Sequence, residues 1–204
     1  FTGTYPDLPL GSRLEIGIAC AGFMLRASRE ANLYSDFRTV FGKKVKDYPL
    51  AASKLKLIEN AAQRTTAGAF KIYDQFLRLE KPLNPGIQSD NPIETRKQLF
   101  NLRELILLQK ICVTNEGAEV LREAISVFGG HGVMEEFSSL PRIFRDVVVN
   151  EQWEGPRNLL LTQIYRDLQR VVDWYSPTDF VSSVLVGASQ ENIKQFSEKL
   201  EDLL

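Results

Sequence analysis

One histidine, His131, and two cysteines, Cys20 and Cys112, are the whole supply of soft metal ligands in 204 residues. No close Cys/His group exists, so no zinc site is expected and no metal is assigned. The two thiols stand far apart in apolar, helical contexts, which favours buried free thiols over a disulfide. A reducing compartment, cytoplasm or mitochondrial matrix, fits them. An excess of one charge is also missing. The 25 Lys and Arg face 26 Asp and Glu, a formal net charge of −1. That total attracts neither nucleic acid nor an anionic membrane, and no nucleic-acid partner is expected of this segment. No apolar run reaches the length that spans a bilayer.

What is present is helical periodicity. The length suits one domain with one sizeable core. Residues 1–11, with two prolines and two glycines, read as a linker from a missing upstream domain. Ser12 with Glu15 forms a capping-box pattern. Leu14, Ile18, Ala21, Leu25 and Ser28 then predict a helix to about Tyr34. The pattern breaks at Gly42. Pro49 opens a second helix with a stripe of Leu55, Ile58, Ala62, Thr65, Ala69, Ile72, Phe76, Leu79 and Leu83, stopped by Pro82 and Pro85-Gly86.

Asn91-Pro92-Ile93-Glu94 is a third helix start. Leu99, Leu102, Ile106, Val113, Gly117, Val120, Ala124 and Val127 carry that helix onward. Gly117 is a weak point or a close-packing site, and the stretch around Leu105–Leu108 reads as centrally buried. A short helix over Leu140–Asn150, with a β-branched end at Val147–Val149, precedes a last bundle helix with Leu159, Leu160, Ile164 and Leu168. The expected fold is all-α: an up-down-up-down four-helix bundle over residues 12–170 with a helical extension over 171–204. In that extension Trp174–Pro177 reads as a turn. Ser189 caps a helix bearing Ile193, Phe196, Leu200 and Leu203, and the pattern reads as truncated.

Chemistry concentrates between Phe128 and Asn158. Gly129, Gly130 and Gly132 follow a long helix, so one or more should take positive φ and end it, leaving backbone bare to a flat or anionic ligand. Glu154 stands between Trp153 and Gly155, where an adjacent aromatic can desolvate a carboxylate and make it a usable base. Arg142, Arg145 and Asp146 lie between. Read locally, the glycines serve as a helix C-cap and Glu154 as a solvated loop residue.

In order, these elements resemble the C-terminal signature of the acyl-CoA dehydrogenase family: Phe-Gly-Gly-x-Gly, then Arg-Leu-Tyr-Arg-Asp, then Tyr-Glu-Gly-Thr. Upstream, Arg38, Phe41, Gly42 and Lys43 match its Thr-Arg-x-x-Phe-Gly-Lys. The tryptophan before Glu154 is similar to the larger, alkylation-response-like branch. The resemblance covers residues 12 to about 168.

It implies FAD as cofactor and α,β-dehydrogenation of a fatty acyl-CoA to the trans-2-enoyl-CoA. Glu154 would be the α-proton base, and electrons would pass to an electron-transfer flavoprotein. It implies that Arg38 meets the flavin pyrophosphate across a subunit boundary of a homodimer or homotetramer, that Phe41 lies on the adenosine, and that Gly129 and Gly130 border the cofactor. Arg13 and Gly155 would hold the acyl-CoA, and Arg145-Asp146 would be a structural ion pair.

Several positions depart from the family pattern. Ser126 and Asn158 stand where the family has glutamines, Val40 replaces a polar residue, and Pro156 replaces a threonine. His131 stands in place of tyrosine or asparagine. The family's N-terminal helical and middle β domains are not legible in these residues. Two other readings stay open: a flavoprotein with a binding or protective role, and a helical assembly module.

Overall fold

The computed structural model describes residues 8–79 and 91–204. Among the described residues seven α-helices follow in order: α1 Leu8–Phe37, α2 Pro49–Leu77, α3 Ile93–Phe128, α4 Leu140–Gln152, α5 Arg157–Val171, α6 Pro177–Val184 and α7 Gln190–Glu201. Two two-residue strands, β1 Thr39–Val40 and β2 Lys43–Lys44, pair antiparallel just after α1. No described helix is long and apolar enough to cross a membrane. Residues 1–7 of the expected linker, and the expected stops at Pro82 and Pro85-Gly86 with Leu83, lie outside the described residues.

Pairs of side chains fix the helix directions. Tyr34 near the end of α1 stacks on Phe128 at the end of α3, with centroids 4.3 Å apart, so these two run parallel. Lys54 meets Glu123 and Thr65 Oγ1 donates to Glu116 at 3.2 Å, so α2 runs antiparallel to α3. A Cβ on Gly117 would lie 3.2 Å from Val147 Cγ1, and Lys110 reaches Glu151, so α4 is antiparallel to α3 as well. Arg103 with Asp167 continues that sense into α5. The all-α, up-down-up-down order therefore follows the periodicity, but the fourth column is two helices broken over residues 153–156. Proline at 156 has no amide to continue a helix, and Glu154 and Gly155 take φ of +58° and +104°.

The core has two parts. One gathers Cys20, Met24, Ala27, Ile58, Leu121, Leu140 and Val147 from α1 to α4. The other gathers Leu10, Leu14, Phe100, Ile106, Leu107, Leu160 and Ile164. Tyr175 and Phe180 of the C-terminal extension close that second part, Phe180 meeting Phe100 edge-on at 5.6 Å. Each such large apolar side chain contributes about 1.5–3 kcal/mol by leaving water. Ile106 and Leu107 are fully buried, as the all-round apolar stretch of α3 predicts.

Several local expectations are corrected. Helix α1 already includes Leu8–Gly11, so Ser12 lies inside it rather than at its cap; Leu10 packs beside Leu14 and draws the helix upstream. Leu25 is exposed and Met24 is buried instead, because α1 turns its wide buried arc to α2, α3 and α4 together. Cys112 is exposed, whereas Cys20 is buried and its thiol is pushed up to about 12 by burial. Val148 and Val149 stay helical and exposed while Val147 is buried, since consecutive helical residues point about 100° apart. For the same reason Arg145 does not pair with Asp146; its partner is Glu135. The extension holds an unpredicted short helix, α6, capped by Ser176, whose side chain accepts from Asp179 N. Ser189 caps α7 as expected.

Candidate functional site

Two clusters of the expected residues form, one midway along the bundle and one at the end where α1 and α3 finish. The first is the break in the fourth column. Helix α4 ends at Gln152 and α5 begins at Arg157. Between them Glu154 adopts a left-handed backbone that non-glycine residues seldom take, and Gly155 occupies a region that favours glycine. A Cβ on Gly155 would lie 2.9 Å from Leu160 Cδ2, so the residue is fixed by space as well as by angle. Glu154 is half-buried beside an exposed Trp153.

Two cations reach this turn from other helices. Arg13 Nε on α1 donates to Glu154 O at 2.9 Å. Lys110 Nζ on α3 donates to Glu151 O at 2.9 Å and Gly155 O at 2.7 Å. Both side chains are buried. Burial pulls the Arg13 pKa down, countered by the Glu154 charge. Burial and the Arg13 charge pull the Lys110 ammonium below its ordinary value. Asn158 is exposed in the first turn of α5, on this side of the molecule.

Beside the turn runs a buried polar layer. Arg103 forks onto Asp167 Oδ2 at 3.3 and 2.7 Å, and Arg170 reaches Oδ1. Glu104, fully buried, has neither carboxylate oxygen hydrogen-bonded; Arg103 Nε approaches at 3.4 Å without bonding geometry. Burial, helped by the Asp167 charge, pushes Glu104 up to about 8.

The second cluster is an open cleft of about 560 Å³ walled by Tyr34, Arg38, Ser126, Gly129, Gly130 and His131, among others. Residues from the end of α1 and the end of α3 thus meet in one place. Gly129, at φ +60°, ends α3, and Cβ atoms built on Gly129 or Gly130 would meet only open space. The Arg38 guanidinium is exposed and has no partner among the described residues. Ser126 Oγ donates to Glu123 O at 2.7 Å. His131 stacks on Phe137 at 4.5 Å, with Nδ1 3.2 Å from Tyr34 Oη.

Beside the cleft, Phe41 and Gly42 form the two-residue tip of the β1–β2 hairpin, both at positive φ, the type I′ requirement. Phe41 is 95% exposed. A free guanidinium and bare backbone facing open space suit a pyrophosphate, and an exposed ring beside them suits an adenine face. Among the described residues no group of His, Cys, Asp and Glu could hold a metal ion.

The glycines differ in what they tolerate. A Cβ at Gly132 would meet Ile125 O at 2.3 Å, a backbone atom that cannot yield. Gly132→Ala is expected to cost about 2–3 kcal/mol, whereas Gly130→Ala should stay within about 0.5 kcal/mol. Urea unfolding of the two variants checks this, and equal midpoints would contradict it.

Sequence reasoning singled out Arg13, Glu154 and Gly155 but missed Lys110. A lysine inside the apolar run of α3 was the available signal. It also missed Tyr34, which a helix-end position alone does not mark.

The chain is similar to known proteins over most of its length. The family model described as "Acyl-CoA dehydrogenase, C-terminal domain" matches residues 10–169. Acyl-CoA dehydrogenase family member 11 of Caenorhabditis elegans is 29% identical over 155 residues, covering 76% of this chain and 23% of that protein. AidB of Escherichia coli (strain K12), provisionally named an acyl-CoA dehydrogenase, is 26% identical over 175 residues, 86% of this chain and 29% of its own. The chain thus spans about a quarter of the length of the curated relatives it matches. The crystal structure of Caenorhabditis elegans ACDH-11 in complex with C11-CoA matches with a TM-score of 0.68 at 25% identity, over 95% of this chain and 31% of that one.

Proposed function

The chain belongs to the acyl-CoA dehydrogenase family, and we propose that it forms the base-bearing part of an FAD-dependent enzyme that introduces an α,β double bond into a fatty acyl-CoA. The observation that carries this reading is the Glu154 turn. A half-buried glutamate is presented from a break in a bundle column, in a strained backbone state held by cations on two other helices. Strain retained in this way is common where a side chain must be aimed.

Glu154 takes the proton from the α-carbon of the thioester. Gly155 permits the positive-φ turn that presents Glu154 to the acyl chain. Arg13, through the Glu154 carbonyl, keeps the turn from relaxing. The flavin, when bound, supplies the acceptor for the β-hydrogen as hydride. Arg38 with the backbone of Gly129 and Gly130 would hold its pyrophosphate, and Phe41 would cover the adenine.

Arg13 and Arg38 lie roughly 37 Å apart at the helical rise of α1, so the Glu154 turn and the cleft are separate sites on one chain. The cleft therefore serves the flavin of a second subunit, in a homodimer or homotetramer. Domains other than this bundle supply the remaining walls, and an electron-transfer flavoprotein accepts the electrons.

The test is anaerobic absorbance of the flavin-loaded protein during addition of acyl-CoAs of several chain lengths. Loss of the flavin band with one of them is the expected result. A bound flavin that none of them bleaches would overturn the dehydrogenase reading.

A further inference from the structure

A helix that stops inside a bundle leaves carbonyl oxygens without the amides of the next turn. Three carbonyls in the last turn of α4 and the turn that follows it are bound by cations: Glu154 O by Arg13, and both Glu151 O and Gly155 O by Lys110. Lys110 is 1% exposed and rises from a run of α3 that includes buried Ile106, Leu107 and Ile111. Packing alone would favour an apolar residue there, because burying an ammonium opposes its charged form. The two carbonyls that Lys110 binds lie on either side of Glu154 in the chain. A single Nζ therefore ties both edges of the strained turn to the central helix.

We infer that Lys110 is the positioning residue of the Glu154 turn: its ammonium clamps the carbonyls of Glu151 and Gly155 and so fixes the direction of the Glu154 carboxylate. The inference rests on the reading of Glu154 as the base. Without the clamp the turn can relax toward the ordinary helical region, which re-aims the side chain. Misplacing a reacting group by about 1 Å can cost about 10²-fold in rate.

The flavin-loaded protein carrying Lys110→Met is the first test, because methionine keeps the length of the stem and loses the donor. Flavin reduction by acyl-CoA should slow by about 10–100-fold, with acyl-CoA affinity changed by less than about threefold. Amide hydrogen exchange over residues 151–156 should accelerate.

Chemical rescue separates charge from packing. A pocket of about 160 Å³, lined by Lys110, Thr114, Glu151 and Arg157 among others, opens beside the ammonium. Ethylammonium should therefore restore part of the rate to Lys110→Ala, and ethanol should not. Restoration by both would mean that Lys110 only fills space, and would overturn the clamp.

Unchanged exchange and unchanged rate in Lys110→Met would also overturn it. Faster exchange with an unchanged rate would leave the clamp standing and remove Glu154 as the base. Should Lys110→Met not fold, Lys110→Arg decides. It keeps the charge, but its planar head does not reproduce one nitrogen shared by two carbonyls. A wild-type rate and wild-type exchange in Lys110→Arg would sink the inference.

Discussion

Glu154→Gln is expected to slow reduction of the flavin by acyl-CoA about 10²–10⁴-fold, the usual worth of a positioned general base. The substitution keeps the shape of the side chain and removes only the capacity to accept a proton. The turn should survive it, because Arg13 and Lys110 hold backbone carbonyls and not the carboxylate. Flavin content and acyl-CoA affinity should therefore remain near those of the parent protein. Stopped-flow reduction with a saturating acyl-CoA, measured beside a binding titration, separates the two quantities. A rate loss under about threefold would take Glu154 out of the chemistry. A large loss accompanied by lost binding would show that the carboxylate orders the site instead of acting in it.

The second large effect concerns stability. Glu104 has an ordinary carboxylate value of 4.5, and in the fold it stands at about 8, chiefly because burial disfavours its charge and secondarily because Asp167 is near. Below the unfolded value both states hold the proton, and Glu104 has no effect on the pH dependence. As pH rises from there towards 8, the unfolded chain releases the proton while the folded chain keeps it. Stability then falls by about 1.4 kcal/mol per pH unit. Above 8 both states are ionised and the loss is complete.

Arg103, 3.4 Å away, offsets this only in part, since its fork is committed to Asp167. Glu104→Gln should remove that slope, so its advantage over the parent should grow across this window to several kcal/mol at pH 8. Urea unfolding of parent and variant at about pH 5, 6.5 and 8 measures it, because other titrating groups cancel in the difference. Parallel stability curves would show that Glu104 finds a partner or stays ionised in the fold.

Much of the architecture was legible before any coordinates. The stripes of α2 and α3 alternate by three and four residues, and a helix with such a stripe has few ways to bury it except along another helix. Proline at 49 and 92 marks the entrances of α2 and α3, and a glycine at positive φ marks the exit of α3 at Gly129. Glu154 and Gly155 stood out because an aromatic neighbour can desolvate a carboxylate, and because they follow the glycine turn and Arg-x-x-Arg-Asp in the order the family shows.

Other features were not legible because periodicity reports which side of a helix is apolar, not how wide an arc its neighbours cover. Leu25 and Met24 are adjacent and similarly apolar, and only the approach of α4 at Gly117 decides that Met24 goes inside. Helix α6 was too short for a period to register; Phe180 forms it by packing against Phe100 and Tyr175.

By itself, then, the sequence determined an all-α bundle of the acyl-CoA dehydrogenase family and the chemical character of its turns, because local spacing and backbone constraint are written residue by residue. Tertiary structure decided which distant residues meet. Parallel α1 and α3 bring Arg38 to Gly129 and Gly130 at one end. Midway along α3, the broken fourth column brings Glu154 to Arg13, with Lys110 clamping the carbonyls on either side. The physical reason is that a buried carbonyl needs a donor wherever the chain can supply one, and only the packed fold determines which side chain is within reach.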